Sequence, residues 1–175
     1  MGAASADKKT MNSLQSAPFD TVAMDALVNA VADPGYGIFP CMLSPEFQQV
    51  LIDLMAKKLA ADALVRAGVG SGAKVQVHSE IRSDSIIWLE PEDATPEVQS
   101  WLSGMEGLAE HLRSGLFLPV WNYEGHLARY PGGGFYKPHL DQHVDTRARQ
   151  ISIITYLNEE WFVNDTATTE IYTDV

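Results

Sequence analysis

Helical periodicity in this chain of 175 residues is confined to its first two thirds, and from Trp121 onward the texture is β throughout. Three stretches read as helices. Asp20 is an acidic cap for TVAMDALVNAVAD, which stops at Pro34 and Gly35. Ser44 and Pro45 make a cap and first-turn pair for a face of Phe47, Val50, Leu51 and Leu54, running towards Gly68. Thr95 and Pro96 repeat that start ahead of Val98, Trp101, Leu102, Met105, Leu108 and Leu112, with Gly115 as the stop. Between the last two helices, Lys74 to Glu90 alternates and is rich in Val, Ile and Trp, so strands are expected there. Beyond Trp121, residues 125–130 alternate, Pro131 to Gly134 form a turn, Phe135 to Asp141 read as extended, and Gln150 to Leu157 read as a mostly apolar strand. Helices followed by strands, without strand–helix–strand alternation, predict an α+β domain with helices packed on an antiparallel sheet or barrel.

Charge and cysteine usage narrow the partners. Twelve Lys and Arg against 23 Asp and Glu leave a net charge of −11. Such a surface repels phosphate backbones and anionic lipid, so neither nucleic acid nor membrane is an expected partner. No apolar run approaches the ~18 residues of a membrane span. Residues 1–18 read as a polar leader without the apolar stretch of a secretory signal, followed by one domain over 19–175. The single cysteine, Cys41, cannot close an internal disulfide and reads as a small buried hydrophobe. The expected compartment is the cytoplasm, and the oligomeric state is left open. The loop GVGSGAK lacks the Walker ending and reads as a connector.

Chemistry concentrates in the segment from His126 to Trp161, which contains His139, Leu140 and Asp141. On a strand, residues i and i+2 share a face with Cα atoms roughly 6.5–7 Å apart, so imidazole and carboxylate can reach one ion. That donor pair suits Fe(II), Mn or Zn. His143 continues the alternation but stands about 13 Å from His139 on a straight strand, which gives at best a nearly linear arrangement. It is read, with His78, His111 and His126, as a solvated or hydrogen-bonded histidine.

The context of this pair is similar to the prolyl 4-hydroxylase-like branch of the Fe(II)- and 2-oxoglutarate-dependent dioxygenases. The resemblance is carried by Ala128, Arg129, Tyr130, Pro131 and Gly132, by Phe135 to Asp141, by Arg149 to Asn158 with Trp161, and upstream by Ile81, Arg82, Asp84, Ile86 and Trp88. It covers roughly residues 75–161. It implies a double-stranded β-helix, or jelly-roll, with the N-terminal helices packed on it. It implies His139 and Asp141 as two of three iron ligands; Tyr130, Tyr136 and Tyr156 lining the pocket of the cosubstrate 2-oxoglutarate; and Arg149 and Asp84 near the substrate entrance, where a charge pair between them is plausible. The implied reaction consumes O2 and 2-oxoglutarate, with L-ascorbate as reductant, hydroxylates a prolyl residue in a peptide or protein, and releases succinate and CO2.

The resemblance also implies a third ligand histidine several dozen residues after Asp141 and a basic anchor for 2-oxoglutarate. Only 34 residues follow Asp141, and His143 is the sole histidine among them. The stretch from about 162 to 175, FVNDTATTEIYTDV with its Thr and Ala bias, reads as sequence foreign to the family. The expectation is therefore a dioxygenase domain whose final strands are missing from this chain, with a catalytically inactive truncated homologue acting as a peptide-binding module as the alternative. A Zn or Mn cupin, and an enzyme acting on a small molecule or free amino acid, are the other readings.

Overall fold

The structure, a computed structural model, describes residues 18–40, 42–68, 76–142, 149–157 and the backbone of 168–173. Cys41, His143 and Trp161, together with most of the leader and of the GVGSGAK loop, lie outside the described residues. Three helices, α1 (Thr21–Ala32), α2 (Pro45–Ala60) and α3 (Pro96–Leu116), are joined by strands β1 (Tyr36–Pro40), β2 (Val65–Arg66), β3 (Ser85–Trp88), β4 (His126–Arg129), β5 (Ile151–Thr155) and β6 (Thr168–Thr173). The strands form two antiparallel sheets, β2-β3-β4 and β1-β6-β5. The α+β expectation holds. Among the described residues no helix is long and apolar enough to cross a membrane.

The helix starts follow their caps. Asp20 Oδ1 accepts from the amides of Val22 and Ala23, and Ser44 Oγ accepts from Phe47. At the third start the work is shared. Thr95 makes no side-chain cap bond, because its hydroxyl and its amide both donate to Asp93 Oδ1. The same aspartate pairs across to α2 through Lys58 at 2.7 Å, tying the two helices together. The Lys58 bond first, then the Thr95 bonds, hold Asp93 down at about 2 against an ordinary 3.8. A lowered folded value means stability present above pH 3.8 and lost as pH falls towards 2. Asp93→Asn is expected to flatten the acid limb of stability between about pH 4 and pH 2, measured by urea unfolding at stepped pH. Equal slopes for the two proteins would count against this account.

The apolar stripes close on one core. Leu27, Phe47, Leu51, Leu54, Val98, Met105, Leu108 and Leu112 are buried together with Leu89 and Leu127, and Ile87, Ile151 and Ile153 pack against them. Trp101 stacks on Phe47 and tilts against Phe19. Its indole N–H donates to the Tyr123 hydroxyl at 2.5 Å, and burial pushes that phenol up to about 12.

Four local expectations are corrected. Helix α2 ends at Ala60 rather than near Gly68, because the chain turns through Asp62 at φ +52° and enters β2. Strand structure in the Lys74–Glu90 region is limited, as an element, to Ser85–Trp88. Strand β1, unforeseen, follows α1 directly and pairs with β6, so part of the stretch read as foreign lies between β1 and β5. Finally, Phe135 to Asp141 is no strand: its ladder is a single bridge from Arg82 to Tyr136, and Pro138 has no N–H to extend one. The turn before it is as expected. Gly134 N–H donates to Pro131 at 2.7 Å, with Gly133 at φ +72°, a conformation that favours glycine.

Candidate metal centre

Strand alternation divides the β2-β3-β4 sheet into two faces. Ile87, Leu89 and Leu127 turn to the helices and the core. The positions between them, Asp84, Ile86 and Trp88, with His126 and Ala128 paired opposite on β4, therefore lie on the other face. Trp88 meets His126 edge to face at 5.0 Å. Burial first, then Arg82, push the His126 imidazole below its ordinary value, so it is neutral at neutral pH. On β5, Ile151 and Ile153 take the core side, which leaves Ser152 on the opposite one.

The loop after Tyr136 folds against this surface. His139 and Asp141 come together although no strand carries them: Nε2 stands 3.1 Å from Asp141 Oδ1. His139 Nδ1 donates to the Lys137 carbonyl at 2.8 Å. That bond fixes the tautomer and leaves the Nε2 lone pair facing the carboxylate. Two donors each about 2.1 Å from one ion, at a right angle, stand about 3.0 Å apart, so the observed spacing fits adjacent corners of an octahedron. The other carboxylate oxygen, Oδ2, accepts from Ser152 Oγ at 2.7 Å. The two side chains are 35% and 23% exposed, open enough for ligand exchange. Among the described residues no third His, Cys, Asp or Glu joins them.

Arg149 secures the same loop from the far side. Its Nη1 donates to the Asp141 carbonyl at 3.2 Å, and Gln142 donates back to the Arg149 carbonyl at 3.1 Å. Its charge is met by Glu124, at 2.6 Å from Nε and 2.5 Å from Nη2. The expected pairing of Arg149 with Asp84 is therefore corrected. Asp84 is 1% exposed and is engaged by Arg82, Nε to Oδ1 at 2.7 Å and Nη2 to Oδ2 at 2.5 Å. Packing decided the partners: Arg82, two residues from Asp84, reaches both its oxygens without leaving the interior.

The three tyrosines gather round this surface in different ways. Tyr136 stacks on His139 and lies under the Arg82 guanidinium. The Tyr130 phenol is pushed upward by burial first and then by Asp84, with Tyr136 and Tyr156 close enough to act on it. It stays protonated, a hydrogen-bond donor at neutral pH. Tyr156 is half-buried just past β5. In the sequence from His126 to Gln150, four basic residues, Arg129, Lys137, Arg147 and Arg149, outnumber two acidic ones, Asp141 and Asp145, in an otherwise acidic chain.

Sequence reasoning missed Ser152 and Glu124. Ser152 had a signal, a lone hydroxyl inside the apolar run ISIIT, whereas Glu124 had none. Ser152→Ala removes the donor that orients Asp141 and is expected to weaken divalent-metal binding about 10–100-fold with little change in melting temperature, measured by calorimetric titration. Unaltered affinity would separate Ser152 from the metal.

No family model and no curated protein matches the chain. Several solved structures share its fold, among them two prolyl hydroxylases. One is the crystal structure of a Pseudomonas putida prolyl-4-hydroxylase, with a TM-score of 0.70 and 27% identity over 86% of each chain. The other is a prolyl hydroxylase from Trichoplax adhaerens in complex with a hypoxia inducible factor oxygen degradation domain peptide fragment, with a TM-score of 0.66 and 15% identity over 99% of this chain and 83% of that one. At 15% identity the second bears on the fold alone. Together with the order of motifs around His139 and Asp141, the bacterial enzyme makes this chain similar to the prolyl 4-hydroxylase-like family.

Proposed function

We propose that the chain is an Fe(II)- and 2-oxoglutarate-dependent dioxygenase with a jelly-roll core that hydroxylates a prolyl residue in a peptide or protein. The observation that carries this reading is the 3.1 Å approach of His139 Nε2 to Asp141 Oδ1, with the tautomer set by Lys137 and the carboxylate oriented by Ser152. His139 and Asp141 would hold the iron, which when bound supplies the oxidative chemistry that couples O2 and 2-oxoglutarate to succinate, CO2 and a hydroxylated product. L-ascorbate would keep that iron reduced.

The remaining roles belong to the protein's own groups. Tyr130, kept protonated, can donate to a carboxylate of 2-oxoglutarate, while the rings of Tyr136 and Tyr156 exclude water. The excess of positive charge in this segment favours a small dianion. Arg149 holds the loop at the substrate side.

Succinate formation tests the proposal directly, in a mixture of Fe(II), ascorbate and 2-oxoglutarate with and without a proline-containing peptide. Peptide-stimulated succinate that disappears on chelation is the expected result. Peptide binding without succinate would instead make the chain the non-catalytic peptide-binding homologue, for which the unassigned third ligand and the stretch from 162 onward are the grounds. Stimulation by free proline alone would move the substrate class to small molecules.

A further inference from the structure

The most deeply buried charge among the described residues is connected to the candidate ligand by an unbroken run of contacts. Asp84, 1% exposed, receives two parallel hydrogen bonds from Arg82. The Arg82 side chain is itself only 10% exposed, and its Nη1 also donates to the Gly68 carbonyl at 3.3 Å, so the guanidinium plane is pinned on two edges. Its Cζ lies 4.2 Å from the centroid of the Tyr136 ring. That ring lies 20° from parallel with the His139 imidazole, at a centroid separation of 3.6 Å. Two groups this close to one centroid cannot share a face without overlapping. Tyr136 is therefore held between Arg82 and His139.

This arrangement fixes the one freedom that the hydrogen bonds of His139 leave loose. The Lys137 carbonyl and the Asp141 carboxylate both lie off the edge of the imidazole and restrain its rotation in plane. They do little against tilting about the line that joins them. The flat face of Tyr136 opposes that tilt, and the guanidinium, attracted to the ring's negative face, keeps Tyr136 from moving back. A metal ion is bound along the nitrogen lone pair, which lies in the imidazole plane, so ring tilt translates directly into a misdirected donor.

We propose that Arg82, braced by Asp84, is a positioning residue for the metal: through Tyr136 it sets the plane of the His139 ring. The assignment rests on His139 and Asp141 being metal ligands. It needs a planar cation in a forked ion pair, a combination that lysine cannot supply.

The test is Mn(II) affinity of the full chain by calorimetric titration, with thermal unfolding run alongside. Because Arg82→Ala alone would strand a buried carboxylate, the informative variant replaces the pair together, Arg82→Met with Asp84→Leu, since buried ion pairs exchanged for apolar residues of similar size usually leave folding intact. This double variant is expected to melt as a cooperative unit and to bind Mn(II) about tenfold more weakly or worse. Tyr136→Leu, which removes the ring face, should show the same loss, and Tyr136→Phe, which keeps it, should stay within about twofold. Unchanged affinity in Tyr136→Leu overturns the proposal even if the double variant fails to fold. Equal losses in Tyr136→Phe and Tyr136→Leu also overturn it, because the ring face would then be irrelevant. A wild-type chain that binds Mn(II) no better than His139→Ala overturns the metal reading itself, a distinguishable failure.

Discussion

His139→Ala is expected to lower Fe(II) affinity by at least about a hundredfold and to abolish succinate formation, with the fold unchanged. The size follows from the donor count. Loss of an outer partner of a ligand typically costs 10–100-fold, and loss of the ligand itself removes a coordinate bond as well. The absence of a fold effect follows from location. The side chain is 35% exposed and outside the helical core, where substitutions shift stability by about 0.5 kcal/mol or less. Metal titration under anaerobic conditions, paired with thermal unfolding, separates the two effects. Tight iron binding by the variant would remove His139 from the centre and, with it, the foundation of the proposed chemistry.

Asp84→Ala is expected to do the reverse and damage the fold first. It leaves the Arg82 guanidinium buried without its carboxylate, a change that costs about 3–5 kcal/mol where one member of a buried pair is removed. Burial draws the guanidinium down and the Asp84 carboxylate more than restores it, so the native cation depends on this partner. For a chain of this size each kcal/mol lowers the melting temperature by about 2–4 °C, so a fall of about 6–20 °C is expected. The internal control is Glu97→Ala. Glu97 pairs with Lys57 at 2.8 Å, but the lysine side chain is 65% exposed, and such pairs contribute about 0–1 kcal/mol. Calorimetric unfolding of the two variants side by side checks the contrast. Similar small shifts in both would mean that water or another acceptor relieves Arg82.

Much of the helical layer was legible because its determinants are local. Asp20, Ser44 with Pro45, and Thr95 with Pro96 stand at the observed starts, and the stripes from Phe47 to Leu54 and from Val98 to Leu112 are the buried faces. Strands β4 and β5 and the turn at Pro131 were readable for the same reason. Strand β1 was not, since Tyr36–Pro40 becomes a strand only through pairing with residues far along the chain, and its own residues do not alternate. The candidate metal pair was picked out by a spacing whose premise failed. His139 and Asp141 do not share a strand face; a folded loop brings them together, held by Ser152 and Arg149. Ion-pair partners were the least readable feature. Arg149 could have met either Asp84 or Glu124, and only the packing of Arg82 against Asp84 decides it.

Ser152 sits on β5, whose rungs run Ile151 to Thr173, Ser152 to Tyr172 and Ile153 to Ile171. A slip of one residue along that ladder would turn Ser152 to the helical side and bring an isoleucine to the carboxylate of Asp141, since neighbouring strand positions face opposite ways. The orientation of a candidate iron ligand is thus stored in the alignment of two strands distant in sequence from the helical layer. The far side of β6 pairs with β1, joining residues as distant as Tyr36 and Tyr172, and contacts of that kind come late when a chain folds. A freshly made chain would acquire its full metal affinity as one of its last steps, and iron uptake during refolding would time the moment at which β1 joins β6 and fixes the β1-β6-β5 sheet.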